Sequence, residues 1–272
     1  MVESASRDKN ASRCPAEFVA LAHHLADVSG PIIRRHFRQP IAVDHKADAT
    51  PVTIADRDAE AAIRAAIVDA YPGHGIIGEE HGTTNGGAEY VWVIDPIDGT
   101  KSFITGKPVF GTLIALLRGG RPILGIIDQP VTGERWTGAA GLATTLNGQA
   151  VRTRSCGDLG QAALDATSPD MFEGADGPAF ARLCGRVGLV RHSMDCYAFA
   201  VLATGFVDLV VEATMNLYDF AALVPVVEGA GGIITDWQGE ALGAASDGRV
   251  IAAGDARMHE AARKILTESP AA

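Results

Sequence analysis

The chain has 272 residues, with 33 acidic against 23 basic side chains, so its formal net charge is -10. That balance argues against general nucleic-acid binding, which needs clustered cations, and a hydrophobic content of 47% excludes wholesale disorder. No apolar run approaches the roughly 18–20 residues of a membrane span, and the start of the chain has no apolar signal core. The cysteines, Cys14, Cys156, Cys184 and Cys196, are scattered without a CxxC pair. A reducing, cytoplasmic setting is therefore expected, with each thiol unpaired and structural.

In chain order, residues 1–14 read as a flexible tail. Pro15 suits the first turn of a helix, and Phe18, Leu21, Ala22, Leu25, Val28, Ile32 and Ile33 continue an apolar stripe to about Phe37. A second helix is predicted from Ile54. Thr53 and Asp56 have capping-box spacing, and Tyr71-Pro72-Gly73 ends the helix. The period then changes. Tyr90–Ile94 reads as a strand ending at Asp95-Pro96, and Phe110–Leu117 and Ile123–Asp128 read as an antiparallel pair around Gly119-Gly120. Arg135–Gly138 and Ala143–Val151, with an Asn147-Gly148 turn, extend that sheet. Beyond 155 the pattern alternates: helix 176–187, strand 188–192, helix 195–204, strand 206–211, helix 218–230, strands 231–236 and 249–253, helix 256–267. The expected fold is α/β (α+β) in layers, with an N-terminal half at 15–154 and a C-terminal half at 155–268.

The informative residues are Gly78-Glu79-Glu80, the hexapeptide Asp95-Pro96-Ile97-Asp98-Gly99-Thr100, and Tyr218-Asp219. The strand delivers Asp95 at its carboxyl end, and Pro96 holds the preceding residue extended. Asp98 is expected to cap a helix starting at Gly99-Thr100, whose unpaired N–H groups form an anion site. Two ionised carboxylates so close would cost several kcal/mol each to bury without a counter-charge. Hard oxygen donors in this number suit Mg²⁺, which binds few carboxylates, keeps waters and takes substrate phosphate oxygens as further ligands. DxxD alone is more often a solvated turn, and GEE alone an exposed one. The strand placement and the full hexapeptide are what favour a site.

These motifs resemble the inositol monophosphatase superfamily of Mg²⁺-dependent, lithium-sensitive phosphomonoesterases, over about residues 18–268. The stretch Lys46 to Asp56 and the segment Leu217 to Gly232 add to the likeness, with Tyr218 in place of the usual Trp. The resemblance implies a layered αβαβα sandwich, a homodimer, and two or three Mg²⁺ per site. It implies metal ligation by Glu79, Asp95, the Ile97 carbonyl, Asp98 and Asp219, and phosphate binding by Asp98, Gly99 and Thr100. It further implies that Thr100 and Glu79 orient the attacking water, with Asp56 nearby, and that Glu212 contacts the alcohol. Residues 195–199, 207–212 and 218–232 look most like the histidinol-phosphatase branch, although Met194 departs from its usual Gly. Histidinol phosphate carries an ammonium and an imidazole, which Asp195 and Glu212 could face; Asp219 is also placed at the substrate. An inositol-1-phosphate or broad sugar-phosphate phosphatase is the alternative. The expected partner is a small phosphate monoester, with neither nucleic acid nor membrane. Lys46 is a further candidate for steering phosphate.

Overall fold

The computed structural model describes residues 13–40, 42–45 and 51–268; Lys46 and residues 1–12 of the expected tail lie outside them. Cys14, assigned to that tail, is buried and donates its N–H to the Ala140 carbonyl at 3.1 Å. The first helix, α1 (Ala16–His36), buries Phe18, Leu21, Ala22, Leu25 and Ile33 along the predicted face. A short hairpin of β1 (Val43–His45) and β2 (Pro51–Thr53) leads into α2 (Ile54–Ala70). That helix opens on the predicted capping box: the Thr53 N–H donates to Asp56 Oδ2 at 2.9 Å, and Ala55 N–H to Thr53 Oγ1 at 3.1 Å.

An eight-stranded sheet follows, built from β3 (Gly75–Gly78), β4 (Gly82–Thr84), β5 (Tyr90–Asp98), β6 (Gly111–Arg118), β7 (Arg121–Gln129), β8 (Glu134–Ala139), β9 (Thr145–Leu146) and β10 (Gln149–Ala150). Its order is β10-β9-β8-β7-β6-β5-β3-β4, antiparallel except for the β3·β5 pair. The helix α3 (Thr100–Ile104) interrupts the run between β5 and β6. The second half holds β11 (Ala163–Ala166), α4 (Asp176–Cys184), β12 (Leu189–His192), α5 (Cys196–Ala203), β13 (Leu209–Glu212), α6 (Leu217–Phe220), α7 (Leu223–Gly229), β14 (Ile233–Thr235), β15 (Val250–Ala253) and α8 (Ala256–Thr267). Its five strands are ordered β12-β11-β13-β15-β14.

The two-residue period of strands assigns the layers. In β5, Trp92 and Ile94 face α1 and α2, joined by Ile114, Leu116, Leu124 and Ile126. Val91 and Val93 face the opposite way, onto α5 and α7, which also cover Val210 and Ala252 of the second sheet. The outer face of that sheet, Leu164, Ala166, Leu209 and Val211, packs on α4 and α8. The stack is therefore αβαβα. Each fully buried Leu, Ile or Val stabilises it by roughly 1.5–3 kcal/mol. The apolar layer between the sheets draws on both sides of segment 151–158, which carries no helix or strand.

Several elements differ from the sequence expectation. The helix predicted over 218–230 is two helices, α6 and α7, and the strand predicted over 206–211 is displaced to 209–212. β5 continues past Pro96 to Asp98, its register against β6 shifting between Asp95 and Asp98. Pro96 lacks only an N–H; its carbonyl accepts the Thr112 hydroxyl at 2.8 Å, which keeps the strand attached.

Candidate active site

β3 and β5 run parallel with Gly78 opposite Ile94, so the next residues, Glu79 and Asp95, emerge side by side. The Glu79 N–H donates to the Ile94 carbonyl at 3.2 Å, continuing the ladder one step. Asp95 is 2% exposed, and its Oδ1 accepts the Ile97 N–H at 3.0 Å. The turn made by the bulge leaves Gly99 at φ 88°, a left-handed conformation suited to glycine, directly before α3. Thr100 Oγ1 donates to the Ile97 carbonyl at 3.2 Å, and its lone pairs can still accept. α3 spans only five residues, so an anion at its start would meet unpaired N–H groups more than a helix dipole.

Asp98 does not cap α3. Gly99 is the cap residue, without a side-chain bond, and Asp98 Oδ2 instead accepts the Cys196 N–H at 2.6 Å. The first amide of α5 therefore anchors this carboxylate from the second half of the chain, a partnership no local spacing could reveal. Asp195, at the head of α5, has φ 47° and accepts the Ser102 hydroxyl at 2.6 Å. A Cβ placed on Gly99 would lie 2.8 Å from the Asp195 carboxyl carbon, so α3 and α5 meet where only glycine fits. Asp219, within α6, accepts the Asn216 N–H at 2.6 Å in a capping box. Glu212, at the end of β13, is 2% exposed; its Oε1 accepts both the Thr167 N–H at 2.8 Å and the Thr167 hydroxyl at 3.0 Å. Thr167 was not among the sequence candidates. It follows β11, whose Ala-Leu-Asp-Ala run lacks the β-branched and aromatic residues that mark strands.

Glu79, Asp95, Ile97, Asp98, Gly99, Thr100, Asp195 and Asp219 together line one cleft of about 500 Å³. Glu212 lines a smaller adjoining cavity of about 110 Å³ that it shares with Asp98, Asp195 and Asp219. Asp56 is fully buried and does not line the cleft. Its charge nonetheless interacts with that of Glu79, and its Oδ1 has no hydrogen-bond partner.

Carboxylate oxygens of Asp95, Asp98 and Asp219 all lie within 4.8 Å of one another. Burial raises the pKa of each, and repulsion from neighbouring carboxylates raises it further. Asp95 is held well above the usual carboxylate range by burial and then by Glu79, Asp98 and Asp219. Asp98 is raised well above it by burial and then by Asp195 and Asp219. Asp219 is pushed up to about 7, burial outweighing the Asn216 N–H that favours its anion. Glu212 is raised well above its ordinary value by burial against the opposing Thr167 bonds, and Asp195 is raised by burial despite Ser102 and the nearby Lys101 and Lys107. Such a cluster is costly as bare anions and fits divalent cations: oxygen donors only, converging at ligand spacing, with an orphaned carboxylate oxygen on Asp56 behind them. Among the described residues no helix is long and apolar enough to cross a membrane.

Comparison with known proteins agrees with this geometry. The bifunctional phosphatase IMPL2 of Arabidopsis thaliana, a chloroplastic protein, is 48% identical over 98% of this chain and 82% of its own length. A histidinol-phosphatase of Chlorobaculum parvum is 36% identical over 80% of this chain and 85% of its own length. A solved inositol monophosphatase from Zymomonas mobilis superposes with a TM-score of 0.86 at 48% identity, covering 92% of this chain and 98% of that one. The model of the inositol monophosphatase family matches residues 15–271. With its layered fold, its converging acidic cluster and relatives that are themselves phosphatases, the chain belongs to the inositol monophosphatase family.

Proposed function

We propose that the protein is a Mg²⁺-dependent phosphomonoesterase that hydrolyses L-histidinol phosphate to L-histidinol and phosphate, serving histidine biosynthesis. The observation that carries the substrate choice is the pair of carboxylates beyond the cation cluster, Asp195 and Glu212, both fixed by hydrogen bonds. A substrate bearing an ammonium and an imidazole offers these carboxylates charge-assisted hydrogen bonds. The likeness to curated histidinol-phosphatases at 34–36% identity supports the same choice.

Glu79, Asp95, the Ile97 carbonyl, Asp98 and Asp219 would hold two or three Mg²⁺. Bound there, the cations would supply Lewis acidity to the phosphoryl group and compensate the clustered anions. The chain's own groups do the rest. The Gly99 and Thr100 N–H groups hold the non-bridging phosphate oxygens as charge builds on them. Thr100 Oγ1 and Glu79 orient the attacking water in line with the leaving alkoxide, and Glu79 accepts its proton. Asp56, buried behind the cleft, acts on this arrangement through its charge interaction with Glu79. Asp219 and Glu212 meet the alcohol portion.

Glu212 can equally accept polyol hydroxyls, so hydrolysis of inositol-1-phosphate is the second reading, favoured by the likeness to the Zymomonas enzyme. Phosphate release from histidinol phosphate, inositol-1-phosphate and a nucleotide 3′-phosphate, with Mg²⁺ and with added lithium, decides between them. A tenfold or greater preference for inositol-1-phosphate in kcat/KM overturns the substrate choice, and silence on all three overturns the enzyme reading. We also infer a cytoplasmic homodimer. The four free cysteines support the compartment, and light scattering of the purified protein tests the dimer.

A further inference from the structure

The turn that carries Glu79 is gripped by a carboxylate on α2 that takes no part in the cleft. Glu60 lies one helical turn after Asp56, on the same face of α2, and its side chain is fully buried. Its Oε2 accepts the Glu80 N–H at 2.7 Å, and its Oε1 accepts the His81 N–H at 3.1 Å and Arg64 Nε at 2.6 Å. Arg64 continues the grip with a bond to the Gly82 carbonyl. The His81 ring bonds the Arg57 carbonyl at 3.1 Å. The carboxylate lies flat on the Gly78 backbone, where any Cβ would overlap it, so glycine precedes Glu79 for a packing reason. Glu79 is thus bracketed: its own N–H is fixed to β5, and the next two N–H groups are fixed to one buried anion.

We propose that Glu60 is the positioning residue for Glu79, setting the affinity of the acidic cluster for Mg²⁺ without touching cation or substrate. This rests on the reading of the cluster as the cation site of a phosphatase. The physical reason is pre-organisation. Glu79 lies close to Asp56 and Asp95 against its repulsion from each, and fixing the two N–H groups that follow it is a restraint that holds its turn in place before the cation binds. Glu60 provides that restraint, and Arg64 compensates its charge at little cost to the cluster. An amide at position 60 cannot do the same: whichever way it is turned, its NH₂ faces either the Glu80 N–H or the His81 N–H and the Arg64 guanidinium.

The test is Mg²⁺ alone titrated calorimetrically into the full chain, wild type and E60Q, well below the unfolding temperature, followed by steady-state kinetics on histidinol phosphate. Loss of a group that supports a metal ligand costs roughly 10–100-fold in affinity or activity. E60Q is expected to fold, to bind Mg²⁺ at least about tenfold more weakly, and to lose kcat with little change in KM. A folded E60Q with wild-type Mg²⁺ affinity overturns the proposal. If E60Q does not fold, E60D keeps the charge but shortens the reach to the Glu80 and His81 N–H groups, and unchanged Mg²⁺ affinity there is equally fatal. Weakened Mg²⁺ binding in a protein silent on every phosphate ester would refute the phosphatase reading yet support the Glu60 role. A wild-type protein that takes up no Mg²⁺ would end both.

Discussion

Asp165 offers a stability test that is independent of catalysis. In β11, Leu164 and Ala166 point to the outer apolar cluster, so Asp165 points to the inner layer, fully buried, with neither carboxylate oxygen hydrogen-bonded. Burial pushes its pKa from 3.8 up to about 6, with Arg191 on the adjacent strand partly opposing and Asp195 adding repulsion. Below pH 3.8 the carboxyl is protonated in both folded and unfolded chains and costs nothing extra. As pH rises from there to about 6, the unfolded chain releases the proton first, so folding stability falls, and above about 6 the loss is complete. At 1.36 kcal/mol per pH unit the full penalty is about 3 kcal/mol. Asp165→Asn removes the charge and nearly preserves the volume. It should be near-neutral at pH 4 and more stable than wild type by up to about 3 kcal/mol at pH 8, a rise in Tm of up to about 6 °C. Urea unfolding of both proteins between pH 4 and 8 gives the difference directly, other groups cancelling. A difference independent of pH, or a variant less stable at pH 8, would refute the reasoning.

Three further outcomes are expected. Asp219→Asn should keep the fold but reduce Mg²⁺-dependent turnover by more than the roughly 10–100-fold that loss of a supporting group costs; near-normal kcat/KM would remove Asp219 from the site. Gly99→Ala forces a Cβ into a left-handed position against the Asp195 carboxylate; it should cost about 1–2 kcal/mol in strain and depress kcat/KM, with unfolding midpoints and phosphate release as the checks. Glu212→Gln should raise KM for histidinol phosphate more than for inositol-1-phosphate, since only the first loses a charge partner; equal effects on both would favour the polyol reading.

The recognisable parts of the site were those written in contiguous residues. Glu79 and the hexapeptide from Asp95 to Thr100 declare themselves through a strand ending in clustered acids, and the capping box at Thr53 and Asp56 is a spacing rule met in full. What stayed hidden was who holds these groups. Local logic makes Asp98 a cap for the helix that follows it, yet its partner is the Cys196 amide. Thr167 and Glu60 carry no motif, because a residue that supports a loop distant in sequence needs only the right reach and chemistry.

Periodicity, composition and turn chemistry act between near neighbours, so they were enough to specify α1, α2, the β6–β7 hairpin and the layered class of the fold. The side-by-side emergence of Glu79 and Asp95, and the convergence of Asp95, Asp98 and Asp219 within 4.8 Å, arise from parallel pairing of β3 with β5 and from α6 meeting the end of β5. Those contacts close long loops, and their geometry is set by how whole faces pack. That is why the residues of the site can be read along the chain, while the cavity they form, and the strain and repulsion stored in it, exist only once the layers have stacked.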